Sequence, residues 1–379
     1  MQTSRFLART FTAWVGLSLL TSAAAATAQV AVRAEPVATG LDSPWAVAFL
    51  PQGRFLVTER TGQMRIVQPD GRKGEPIAGL PKLAVGGQGG LLDVVLDSAF
   101  DRNRQLYFCY SEPDEKDASL NSTAMASAKL SADGSRLEEV KVLFSQRPRF
   151  NSRLHFGCRI VEALDGTLFL SLGERSTQMQ HAQRLDSHLG KVVRVNKDGS
   201  VPKDNPFVGR SDARPEIWSW GHRNSQGAAL APDGTYWMHE HGPQGGDEIN
   251  VPQAGRNYGW PLITYGERYG GGNVTDGSTQ REGLEQPLHQ WTPSIAPSGM
   301  AFVTSDRYGD ALKGRLLVGS LKFRYLAALT LDGRKVTGEQ RLLQDVNQRI
   351  RDVRQGPDGY IYVLTDGSGG RLLRLQPGS

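Results

Sequence analysis

Apolar and polar positions alternate with a period of two along most of this chain, in short runs broken by Gly, Pro and Asp, and helical periodicity is scarce. One unit recurs loosely: a small or Gly-containing strand, a Pro or Asp-Gly turn, then a second alternating strand. The first strands of the copies begin near Trp45, Gly90, Arg159, Gly227, Gly299 and Arg351, and their second strands near Phe55, Gln105, Leu168, Thr235, Arg315 and Tyr360. Further runs such as Lys191-Val-Val-Arg-Val195 and Arg371-Leu-Leu-Arg-Leu375 predict outer strands. Copies at spacings of roughly 45–70 residues predict an all-β fold, a six-bladed β-propeller with long inter-blade loops. In such a fold the starts of the inner strands converge on one axis, so residues distant in sequence share one end of it.

The N-terminus reads differently. Arg5 and Arg9 precede an apolar run from Phe11 to Leu20, and Ala26-Thr27-Ala28 is a small-x-small cleavage pattern. The run is short for a membrane span. The pattern predicts a cleaved signal peptide over 1–28, a propeller over 29–379, export to the periplasm and no membrane insertion. Removing that leader lowers the formal charge of +5 by its two arginines, to +3. No Lys/Arg block suggests nucleic acid or a lipid surface. Cys109 and Cys158 are too few for a disulfide framework. They are read either as one bridge or as two buried thiols.

Several polar residues fall at or just before the predicted inner strands. They are Gln88 in a Gly-rich loop, His155, Arg223 with Asn224, Lys322, and Arg349 with Arg351. Arg349 and Arg351 share one side of a strand. With Lys322 and Arg223 on the same axis they would form a polycationic pocket suited to an anion with several oxygens. The alternative is surface charge paired with neighbours such as Asp352. His155 alone is ambiguous, a lone histidine being more often a satisfied structural residue than a base. The histidines show no HExxH-type spacing, and no Rossmann glycine fingerprint is present. The loop His241-Gly-Pro-Gln-Gly-Gly-Asp-Glu-Ile-Asn250 offers carbonyls and carboxylates that suit calcium, without EF-hand order.

Taken in order, these segments resemble the soluble family of pyrroloquinoline quinone (PQQ) dependent glucose and aldose sugar dehydrogenases. The resemblance rests on His155-Phe-Gly with Arg159, Gly221-His-Arg-Asn-Ser-Gln-Gly227, Gly242-Pro243 with Asp247-Glu-Ile-Asn250, and Asn257-Tyr-Gly-Trp-Pro261. It continues through Ser320-Leu-Lys322 and Gln348-Arg-Ile-Arg-Asp-Val353, leading into Gly356-Pro-Asp-Gly359. It implies oxidation of aldoses at C1 to aldonolactones, with His155 as general base, hydride passing to PQQ and electrons leaving to an external acceptor. It implies that Lys322, Arg349, Arg351, Arg223 and Asn224 hold the cofactor, with Gln88 near substrate and cofactor. The carbonyls of Gly242 and Pro243 match ligands of a Ca2+ that bridges to PQQ, and Glu248 with the Tyr258 carbonyl match a second, structural Ca2+. Three features depart from the glucose-specialised members: Leu154 precedes the histidine, the strand after it ends in Leu172-Gly-Glu-Arg175 where those relatives carry an Asp, and the loops are short for that branch. All three point to the broad-range aldose branch. A calcium-dependent propeller lactonase and a non-catalytic sugar- or partner-binding propeller are the rival readings.

Overall fold

The structure, a computed structural model, describes residues 31–378. The predicted signal peptide, residues 1–28, lies outside the described residues. Six antiparallel sheets form the blades of a propeller, five of four strands and one of three. The inner strands, in order, are Pro44–Leu50, Leu91–Leu96, Gly157–Glu162, Ser225–Leu230, Pro297–Phe302 and Ile350–Gln355. Each packs against the inner strands of its neighbours around the ring. All six repeat copies expected from the alternation coincide with an inner strand and the second strand paired to it.

Ring closure is the feature that local alternation did not announce. Val32–Asp42 forms the outermost strand of the last blade, pairing antiparallel with Ser368–Pro377 from Val32 opposite Pro377 to Asp42 opposite Ser368. The two ends of the described chain thus complete one sheet. That ties the first described strand to the last and so holds the ring closed. Between blades the packing is apolar: Leu56, Leu91, Phe108, Met125, Ile160 and Leu170 are buried in one cluster spanning blades 1 to 3. Each such side chain contributes about 1.5–3 kcal/mol on burial.

Two cross-blade devices add to this packing. Cys109, in the second strand of blade 2, forms a disulfide with Cys158, in the inner strand of blade 3, with Cα atoms 5.8 Å apart. This decides between the two cysteine readings in favour of the bridge. On the axis, Arg159 Nη1 lies 3.1 Å from Asp93 and 3.0 Å from Asp352, and Arg354 lies 2.7 Å from Asp93 and 3.0 Å from Asp352. The carboxylates also accept main-chain N–H bonds from Ile160 and Val47. The Arg159 guanidinium donates to the Gln226 carbonyl and sits 4.3 Å from the Trp45 ring centroid. Inner strands of blades 1, 2, 3, 4 and 6 thereby meet in one buried, charge-balanced layer.

Candidate active site

Hairpin geometry places the candidate residues at one end of the propeller. The start of an inner strand lies opposite the end of its second strand, as in Ser225 opposite Glu240, Pro297 opposite Ser320 and Ile350 opposite Thr365. Residues just before inner strands (Gln88, His155, Arg223, Asn224, Arg349) and just after second strands (Glu174, Gly242, Pro243, Lys322) therefore gather at the same end.

His155 sits in a tightly specified turn. Its φ is 50°, and Gly157 and Cys158 that follow have φ 67° and 82°. Glycine adopts such left-handed values freely, but for His155 and Cys158 they cost about 1–3 kcal/mol each and hold only where the surroundings demand it. The surroundings are visible. Gln88 Oε1 accepts the His155 N–H at 2.8 Å, and Asn224 Oδ1 accepts the Gly157 N–H at 3.2 Å. A Cβ on Gly173 would stand 2.0 Å from the His155 carbonyl oxygen, so only glycine fits there.

The His155 ring is oriented by a carboxylate. Nδ1 lies 2.7 Å from Glu174 Oε2, and Glu174 is 1% exposed. The same oxygen accepts the Ser176 N–H at 2.6 Å. A carboxylate accepts, so Nδ1 carries a proton, and in the neutral ring Nε2 is the nitrogen with the lone pair. The dyad faces a cavity of about 580 Å³ whose walls include Gln88, Leu154, Arg223, Pro243 and Trp260. In the sequence Glu174 stands out only as a departure from glucose-specialised relatives; its position just after the strand paired to the His155 strand is the signal that links the two.

The cations divide into two groups. Arg223 lines the cavity and is anchored by bonds from Nη1 to the carbonyls of Gly242 (2.7 Å) and His241 (3.1 Å), leaving its buried Nε without a partner. Arg351 is buried, its Nη1 3.1 Å from Gln226 Oε1 and its Nη2 3.3 Å from Asp366, and its Nε is likewise without a partner. Arg349 reaches the same Asp366 oxygen at 2.8 Å while 47% exposed, so both arginines of the pair do lie on one side of the strand. Burial raises the Asp366 carboxyl, but Arg351 and Arg349 outweigh it and hold it at about 2. Lys322 is exposed, its ammonium 5.2 Å from the Phe323 ring centroid. Lys322, Arg349 and Arg351 stand outside the walls of the His155 cavity, whereas Gln88, Arg223 and Pro243 form part of them. Asn224 is buried and links the groups, accepting from Gln226 Nε2 at 3.4 Å as well as from Gly157.

Beside the main cavity lies a space of about 10 Å³, enough for one water- or ion-sized occupant, lined by Glu240, Gly242, Glu248 and Tyr258 among others. Glu240 and Glu248 face each other across adjacent strands. Burial, and then repulsion from Glu240, push the Glu248 carboxyl up to about 8. Asn250 Nδ2 donates to both carboxylates at 3.2 Å, and its Oδ1 is buried without a partner. Two facing carboxylates and an orphaned amide oxygen are a donor set that a hard cation would satisfy. No group of three or more His, Cys, Asp or Glu side chains among the described residues is arranged to hold a metal, so main-chain carbonyls would have to complete any shell. Of those expected, the Gly242 carbonyl is already engaged by Arg223.

The profile of glucose/sorbosone dehydrogenases matches residues 41–374. The chain belongs to that family. It is 44% identical over 353 residues to the aldose sugar dehydrogenase YliI of Escherichia coli, covering 92% of this chain and 94% of that protein. The crystal structure of the soluble aldose sugar dehydrogenase from Escherichia coli in its apo form matches with a TM-score of 0.88 at 44% identity, over 92% of this chain and 100% of that one. The PQQ-bound aldose sugar dehydrogenase of Streptomyces coelicolor matches with a TM-score of 0.75 at 27% identity, over 92% and 98% of the two chains. Membership makes this chain an oxidoreductase, and the six-bladed fold read from its repeats is that of its relatives. No helix among the described residues is long and apolar enough to cross a membrane.

Proposed function

We propose that this chain is an exported, PQQ-dependent aldose sugar dehydrogenase that oxidises the C1 hydroxyl of a cyclic aldose to the aldonolactone. The observation that carries the reading is the His155–Glu174 dyad, which sits in the wall of a cavity large enough for a sugar, beside the buried Arg223 Nε–H that lacks an acceptor. Glu174 fixes the imidazole tautomer and stabilises the imidazolium formed when Nε2 takes the anomeric hydroxyl proton. Gln88 holds the main chain of His155 in its strained turn. When bound, PQQ would supply a two-electron acceptor for the hydride leaving C1. Its carboxylates suit the unpaired Nε atoms of Arg223 and Arg351, with Asn224, Arg349 and Lys322 around them. A Ca2+ at the Gly242 and Pro243 carbonyls, and a second at Glu248 and the Tyr258 carbonyl, would add positive charge. The second has the better support, since Glu240 and Glu248 face each other across adjacent strands and a cation there would offset their repulsion. The Cys109–Cys158 bridge suits an oxidising compartment, in keeping with a leader over 1–28 and a periplasmic enzyme passing electrons to an external acceptor.

The test is reconstitution. Purified protein titrated with PQQ and Ca2+ should bind the cofactor, then turn over an aldose with an artificial electron acceptor. Failure to bind PQQ together with failure to oxidise any aldose would contradict the proposal. Mass measurement of the mature protein from a periplasmic extract should find its N-terminus at Gln29.

A further inference from the structure

The wall of the His155 cavity carries a cation that neither the dyad nor the cofactor cradle employs. Arg268 lines the cavity together with Tyr269 and Val274, all from the irregular segment between blade-4 strands Asp247–Asn250 and His289–Trp291. That segment is pinned at the cavity. Gln244 and Glu267 exchange main-chain hydrogen bonds of 2.9 and 3.3 Å, and a turn closes from Arg268 N–H to the Gly272 carbonyl at 2.9 Å. Val274 packs in a small cluster with Ala182 and Trp260, with Met179 against it. Arg268 Nη2 donates to the Val274 carbonyl at 2.8 Å, which fixes the guanidinium by one corner and leaves its other N–H groups open. No carboxylate among the described residues forms an ion pair with it, and the acid on the same wall, Glu174, is buried and committed to His155 and Ser176.

An immobilised guanidinium without a counter-charge in a substrate cavity is a carboxylate site. We propose that Arg268 is a specificity-determining residue, and that the favoured substrates are aldoses carrying a carboxylate on C5, the hexuronic acids. This rests on the aldose-oxidation reading and narrows it. The carboxylate takes no part in the redox step. C1 still gives up one hydride to the quinone and the hydroxyl one proton to His155, and the product is the lactone of an aldaric acid. Trp260, Met179 and Val274 supply apolar surface for the ring.

Arg268 is exposed, so the gain is set by a solvent-screened pair: about two- to fivefold in specificity, falling with salt. In PQQ-loaded enzyme the ratio of kcat/KM for D-galacturonate over D-galactose should exceed one by that factor at low ionic strength. It should collapse toward one in about 0.5 M salt, fall to one in Arg268→Gln, drop below one in Arg268→Glu, and be partly kept in Arg268→Lys. A wild-type ratio of one or less, or a ratio that Arg268→Gln leaves unmoved, would overturn the inference while leaving aldose oxidation standing. If the loaded protein oxidises no aldose, the functional reading is what has failed. Saturation-transfer NMR with the two sugars on the cofactor-free protein then decides Arg268 separately. Preferential galacturonate binding that Arg268→Gln abolishes supports the site, and equal binding refutes it.

Discussion

Two sets of arginines meet near the axis of this propeller, and they are spent in different ways. Arg159 and Arg354 face Asp93 and Asp352, two cations against two anions, with the remaining lone pairs filled by main-chain N–H groups. Arg223 and Arg351, nearer the end that holds His155, are also buried, but each keeps an Nε without a partner. Arg351 and Arg349 share the single carboxylate of Asp366. A balanced buried cluster holds blades together, and its ligands are already in place. An unbalanced one is costly in the empty protein and becomes favourable when an anion arrives. Residue type does not separate these roles; the count of partners does.

The comparison breaks most visibly in stability. Asp93→Ala strips one anion from the balanced layer and leaves the buried Arg159 and the partly buried Arg354 under-compensated. Removing one partner of a buried pair costs about 3–5 kcal/mol. The unfolding midpoint in urea should fall accordingly, and a midpoint within error of wild type would show that the layer does not hold the ring. His155→Ala should do the reverse. Its turnover should drop by about a hundredfold or more, the usual contribution of a positioned base, while PQQ affinity stays close to wild type. Turnover like wild type would remove His155 from the mechanism.

A smaller effect sharpens the comparison through pH. The Asp366 carboxyl sits at about 2 in the fold against an ordinary 3.8. A depressed folded value means its stabilisation is complete above the ordinary value and is lost as pH falls through the folded one. That corresponds to about 2 kcal/mol surrendered between about pH 4 and pH 2. Asp366→Asn should flatten the acid limb of the stability curve by that amount. An unchanged limb would mean that Asp366 does not carry the charge balance of Arg349 and Arg351.

What the chain disclosed before its structure follows the same division between local and distant. Strand pairs within a blade are written in short alternating runs with Asp-Gly turns, so every inner and second strand was legible. The outer strand Val32–Asp42 was not, because its partner lies more than three hundred residues away and its own exposure pattern is mixed. The positions of His155, Arg223 and Arg351 at inner-strand starts placed them at one end. Their partners were hidden, since Glu174, Gln226 and Asp366 come from other strands or other blades. The Arg-x-Arg pair was open to a surface reading through Asp352, yet Asp352 turns to Arg159 and Arg354 instead. Arg268 left no signal, because the segment that carries it has no periodicity to read.

The measurement that bears most directly on the account is a side-by-side titration of PQQ into wild type, Arg351→Ala and Arg354→Ala, with unfolding followed on the same samples. Charge-assisted bonds of about 1.5–3 kcal/mol predict that Arg351→Ala binds PQQ roughly tenfold to a hundredfold more weakly, with a smaller loss of stability than Arg354→Ala. Arg354→Ala should lose stability while its folded fraction keeps wild-type affinity. Equal PQQ affinity in wild type and Arg351→Ala would contradict the account.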